Sequence, residues 1–274
     1  MNPKIKVYTG TALTLSLLLT ILKTLCFLFS FDSALGYFDN TFLVSLTGAL
    51  TWISAIWCTS VLLLFPKDTI ATKKNRSPLL IAAAMIAGLL FAAAGVGIFV
   101  TNLSNKLAIA CGALLFVGSS FFWLHLTRLD RSKFVWPGML SILGLLAVLV
   151  VSHFDMFVAI NSPIKLGLHL SAILAALCLL AELRLSFGDE MPRASFALKL
   201  LAVLFCLPTA VSHMVLYFSG KAPALSEKTL SPFFSLVLLA IAVYAAARIF
   251  AVTDAKEILE DEKENEEEKE IEEI

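Results

Sequence analysis

Charge is scarce in this chain. Asp, Glu, Lys and Arg make up only 15% of its 274 residues, where soluble globular proteins carry about a quarter, and the 21 basic and 21 acidic residues cancel to a formal net charge of zero. So few charges cannot clothe a water-facing surface, and a zero balance excludes the basic footprint of a nucleic-acid binder. Cysteine is also sparse. Cys26, Cys58, Cys111, Cys178 and Cys206 form no Cys-x-x-Cys pair, which argues against a redox motif or a zinc ribbon, and each lies in an apolar run as a small core residue would. Enzyme signatures are missing too: there is no H-E-x-x-H, no G-x-S-x-G and no Walker A glycine loop. Zincin proteases, serine hydrolases and P-loop ATPases are disfavoured, and no cofactor is implied.

What the chain has in excess is hydrocarbon. Hydrophobic residues make up 59% of it, and the mean hydropathy is +0.88. Eight apolar runs, at roughly 8 to 30, 42 to 65, 79 to 101, 107 to 127, 134 to 153, 166 to 183, 196 to 218 and 230 to 252, come close to the ~20 residues that cross ~30 Å of bilayer core. They are too long for strands and lack the two-residue alternation of a membrane barrel. The expected fold is therefore an all-α membrane protein, a bundle of about eight transmembrane helices with a short acidic C-terminal extension. The chain divides into a membrane domain, 1 to 252, and a tail, 253 to 274. The first run, which contains Lys23, reads as a signal-anchor rather than a cleaved leader.

Loop charges orient the spans. With the N-terminus in the cytoplasm, thirteen basic residues collect on that side, from Lys4 and Lys6 through Lys73, Lys74, Arg76 and Arg131 to Arg193, Lys199 and Arg248. Only Lys106, Lys165, Lys221 and Lys228 fall outside. The positive-inside rule then places both termini in the cytoplasm of a bacterial inner membrane. From Val252 onward the chain holds twelve acids and three lysines, a net of −9 that leaves +9 on the body. The zero balance is thus a cancellation, and the acidic tail, helical or disordered, shares a face with the basic loops. Two kinds of partner follow besides the bilayer: anionic lipid headgroups at the loops around Lys73 and Arg131, and a protein that contacts the tail.

Charged and polar groups inside spans are candidate sites. Lys23 lies roughly 10 Å below the outer end of its helix at 1.5 Å per residue; it either snorkels or supplies an interior cation. His153, Asp155, His169 and His213 all fall toward the outer side, where imidazole and carboxylate can bind ligands, although no pair of histidines has the i, i+4 spacing of a helical metal site. Pro208, beside Thr209 and Ser212, removes a helical hydrogen bond and is a candidate hinge. Glu182 and Arg184 read as an interfacial pair or as separately solvated groups. Small residues Ala84, Gly88, Ala92 and Gly95, and Gly138, Ser141 and Gly144, mark packing seams.

The segment Phe31-Asp32-Ser33-Ala34-Leu35-Gly36-Tyr37-Phe38 resembles a pattern in uncharacterised multi-pass membrane proteins of Gram-positive gut anaerobes. The resemblance implies the class and carries no activity. In physical terms Gly36 permits a tight re-entry turn, Tyr37 and Phe38 dock at the interface, and Asp32 and Asp39 cap the turn. The leading functional reading is a small-solute transporter or permease-like component whose outward-facing polar cavity is lined by Lys23, His169 and His213. The other is a non-catalytic scaffold or sensor that acts through its loops and tail.

Overall fold

The computed structural model describes residues 3–32, 35–66, 70–72, 77–101, 105–124, 135–155, 158–187, 191–220 and 231–254. The tail beyond Asp254 and the basic loop residues Lys73 and Arg131 lie outside the described residues. Helices α1 (Pro3–Phe29), α2 (Phe42–Thr59), α3 (Val61–Leu64), α4 (Pro78–Thr101), α5 (Lys106–Gly118), α6 (Ser120–Leu124), α7 (Val135–His153), α8 (Pro163–Ser186), α9 (Pro192–Phe218) and α10 (Pro232–Ile249) follow in order. With α2–α3 and α5–α6 each taken as one span, eight are long and apolar enough to cross a membrane. The protein is a multi-pass α-helical membrane protein.

Local chemistry sets the ends. Proline opens α4, α8, α9 and α10, at the position where its missing N–H costs nothing. Asn105 accepts from the backbone N–H groups of Leu107 and Ala108, and Ser162 from that of Lys165, so both caps satisfy donors the helix leaves free. The α5–α6 break is likewise covered by hydroxyls, with Ser119 donating to Phe116 O and Ser120 to Val117 O.

Helices α4, α5, α7, α8, α9 and α10 follow one another round a ring that closes where α10 packs on α4. Outside the ring, α1 lies along α9, and α2 is outermost, resting on α1 and α9. Burial follows this order: 67% of the apolar window is buried in α9 and in α10, but only 22% in the α2–α3 span, so that span presents most of its surface to lipid. Helix α1 packs along α9, whereas α7 packs between α5 and α8.

Close backbone approach builds the seams. A Cβ on Gly95 would lie 2.6 Å from Phe116 N, and one on Gly112 would lie 2.7 Å from Gly95 O, so α4 and α5 meet main chain to main chain. Gly118 faces Ser141 of α7, whose hydroxyl donates to Gly118 O at 2.7 Å. Gly88 faces the Trp123 indole, and Gly138 faces Leu183.

Two short ladders mark the two ends. At the distal end β1 (Phe31–Asp32) pairs antiparallel with β2 (Tyr37–Phe38), and the turn between them holds Gly36 at φ 75°, in the left-handed region that favours glycine. Asp32 Oδ1 accepts from Leu35 N there. At the other end, where α1 begins and α10 ends, β3 (Ile70–Thr72) pairs antiparallel with β4 (Val252–Asp254), with Ile70 opposite Asp254.

Candidate functional site

The distal half of the bundle contains a cleft of about 320 Å³ walled by α1, α2, α8 and α9. Its position follows from the packing: α2 rests on α1 and α9 and leaves a gap to α8. Gly48 of α2 and Leu166 and Leu170 of α8 line the cleft and are exposed, so the mouth opens sideways toward the lipid. Lys23 lines it from α1, six residues before the helix ends at Phe29. Its ammonium donates to Thr209 Oγ1 of α9 at 2.8 Å. Helices α1 and α9 run parallel, with Ser16 bonded to Val203 O, Lys23 to Thr209, and the Phe27 ring edge-on to His213. Lys23 therefore reaches across at its own level and does not snorkel to the interface.

His213 lies one turn above Thr209 and is 1% exposed, and its Nε2 finds no hydrogen-bond partner among the described residues. A Cβ on Gly167 would lie 3.2 Å from Lys23 Nζ and 3.8 Å from His213 Nε2, so glycine at this point of α8 leaves room for both nitrogens. Ser171 donates to Thr209 Oγ1 and to Phe205 O at 3.0 Å each, and Pro208 completes the wall. Pro208 cannot donate to the carbonyl of Leu204, another lining residue, yet α9 continues through it. Above the cleft, Phe27, Ile164 and Leu216 pack with Phe31 and Phe38 as a small apolar cluster. Among the described residues no carboxylate pairs with Lys23.

The other candidates sit elsewhere. His169 is two residues past Gly167, on the opposite face of α8, and its Nε2 bonds Ser152 Oγ of α7 at 2.8 Å. His153 is exposed at the end of α7, its ring 6.2 Å from that of His169. Asp155 is buried at 3% exposure. Among the described residues no group of three or more His, Cys, Asp or Glu side chains is placed to hold a metal ion.

Three lysines and arginines that read as loop charges in the sequence are interior groups. Lys165, 1% exposed, donates to His153 O, Asp155 O and Val158 O at 3.1, 2.8 and 3.1 Å and ties down the turn after α7. Lys199 and Arg248 are 0% and 3% exposed, and both pair with Glu182, which is 1% exposed. Lys199 Nζ lies 2.7 Å from Glu182 Oε1, and Arg248 presents Nε and Nη2 to Oε2 at 2.8 Å each. The Tyr244 hydroxyl adds a longer contact to Oε2 at 3.4 Å. Glu182 thus joins α8, α9 and α10 deep in the bundle, rather than pairing with its near neighbour Arg184 at the interface.

Comparison with models of protein families, with curated proteins and with solved structures finds no match to the chain. The geometry therefore has to carry the functional reading. Among the described residues it sets two kinds of interior charge side by side, a sealed ion-paired group at Glu182 and a Lys23 ammonium that lines an open cleft with no acid opposite it.

Proposed function

We propose that the protein is a small-solute transporter or permease-like component of a bacterial inner membrane, with both termini in the cytoplasm and the Lys23 cleft as its binding site. The observation that carries this reading is an ammonium held inside a span by a single neutral hydroxyl, at the wall of a cavity, with no acid opposite it among the described residues. A cation kept within hydrocarbon without a counter-ion is expensive, and an anionic ligand would complete its shell. Lys23 lines the cleft with Thr209 and His213 packed behind it, and Pro208 gives α9 a place to bend. His153, Asp155 and His169 belong to a separate polar group at the distal turn.

The test is thermal stabilisation of the purified protein across a panel of small organic anions, followed by uptake of those that stabilise it into proteoliposomes. Uptake that falls in Lys23→Ala and His213→Ala supports the reading. A panel without stabilisation and vesicles without flux overturn it.

A scaffold or sensor is the second reading, and the β3–β4 ladder favours it. That ladder pairs Val252–Asp254, which precede the acidic tail in sequence, with Ile70–Thr72, which precede Lys73, Lys74 and Arg76. The tail would then compete with anionic headgroups for those charges, or present itself to a protein partner. Pull-down with and without residues 255–274 separates this reading from the first.

A further inference from the structure

We infer that the Lys23 cleft takes an amphiphile with one anionic head, a carboxylate or phosphate on a hydrocarbon chain, that enters sideways from the bilayer. This rests on the cleft being the binding site and adds its ligand class. Three features point the same way.

The first is the route. The mouth lies between Gly48 on α2 and Leu166 and Leu170 on α8, all exposed along the bundle flank, whereas the path from the distal end is covered by Phe27, Phe31, Phe38, Ile164 and Leu216. A hydrated solute arriving from water would meet the aromatic cluster. An amphiphile already in the membrane meets an opening.

The second is the lining. Apart from Lys23, the Cys26 thiol and the hydroxyls of Thr47 and Thr51, the lining side chains are hydrocarbon, and both hydroxyls already donate to their own helix, to Leu43 O and Thr47 O at 2.7 Å. Such a wall gives a sugar or an amino acid few donors and gives an acyl chain continuous contact.

The third is the head-binding point. Lys23 Nζ has spent one donor on Thr209, and His213 Nε2 lies buried and unbonded beside it, both next to the bare backbone of Gly167. Two nitrogens and no carboxylate among the described residues suit an anionic oxygen set. His213 serves as a second donor when its proton is on Nε2.

The full-length protein in nanodiscs of neutral lipid is titrated with radiolabelled oleate and, separately, with radiolabelled phosphatidic acid. Oleyl alcohol, acetate and inorganic phosphate serve as competitors. Saturable binding of at least one of the two anionic amphiphiles is expected, with oleyl alcohol about tenfold or more weaker. Whichever of the two binds identifies the source of the head. Lys23→Met should weaken it by a similar factor. Gly48→Phe should do the same from the mouth, since a Cβ there meets no atom within 4 Å and the backbone need not move to admit it. Acetate or phosphate competing as well as the amphiphile overturns the inference while leaving the transporter reading intact. Equal binding by oleyl alcohol, or unchanged binding in both variants, also overturns it. Transfer of the bound amphiphile between the two leaflets is measured in vesicles, and its absence despite saturable binding counts against transport alone.

Discussion

Glu182 and Lys23 are both ionisable side chains held within spans, yet their surroundings differ in kind. Glu182 accepts from a guanidinium on one helix and forms an ion pair with an ammonium on another, and every member of that group is at most 3% exposed. Lys23 has one neutral acceptor and faces a cleft. The first arrangement costs desolvation that only its own internal pairing offsets, so its charges are committed to holding α8, α9 and α10 together. The second leaves an interaction unmade. Within a membrane the charge that is complemented acts as structure, and the charge that is not complemented selects for a ligand.

The largest effect should come from breaking the sealed group. Glu182→Ala leaves Lys199 and Arg248 buried without their counter-charge, and about 3–5 kcal/mol of destabilisation is expected. The measurement is the yield of monodisperse protein in mild detergent and its melting temperature. The combined change Glu182→Leu, Lys199→Met and Arg248→Met removes all three charges together and should recover much of the loss. If the single variant melts like the parent, the contrast between the two centres fails.

Next in size is Lys165→Met. Three backbone carbonyls at the turn after α7 lose their common donor, with about 2 kcal/mol of local opening expected. Hydrogen exchange should quicken over residues 153–162 and stay unchanged at α9 and α10. A uniform rise across the bundle would mean that Lys165 supports global stability rather than this turn.

Lys23→Met sharpens the comparison from the other side. Its ammonium makes a single bond to a neutral hydroxyl, so stability should change by less than about 1 kcal/mol while anion binding weakens about tenfold or more. A melting-temperature drop as large as that of Glu182→Ala would show Lys23 to be another structural ion.

Hydropathy was enough to read the eight spans, because a 20-residue apolar run has few alternatives to a membrane helix. The turn at Gly36 was legible for a similar reason, since few residues tolerate its φ. The sealed group was not legible, and the cause is local. Reading the seventh span from residue 196 puts Lys199 at its mouth, whereas α9 starts at Pro192 and carries Lys199 seven residues inside. Pro192, Pro163 and Pro232 at helix starts were the available signal. That Glu182, Lys199 and Arg248 converge could not be read from one chain, because it depends on which helices neighbour one another. The same holds for the cleft. Lys23 and His213 come together only because α1 runs parallel to α9, while His169, two residues past Gly167, points to α7.

The smallest expected effect is also a test of how the sealed group works. The Tyr244 hydroxyl reaches Glu182 Oε2 at 3.4 Å, beyond the 2.8 Å of the arginine contacts to the same oxygen. If the two cations already saturate the carboxylate, Tyr244→Phe removes only a long, weak hydrogen bond and keeps the ring packed on Phe121 and Phe122. About 0.5 kcal/mol or less should be lost, a shift of roughly one or two degrees in melting temperature. A loss approaching that of Glu182→Ala would mean that the phenol, and not the paired cations, holds Glu182 in place, and the contrast between an ion-paired centre and the Lys23 cleft would have to be redrawn through Tyr244.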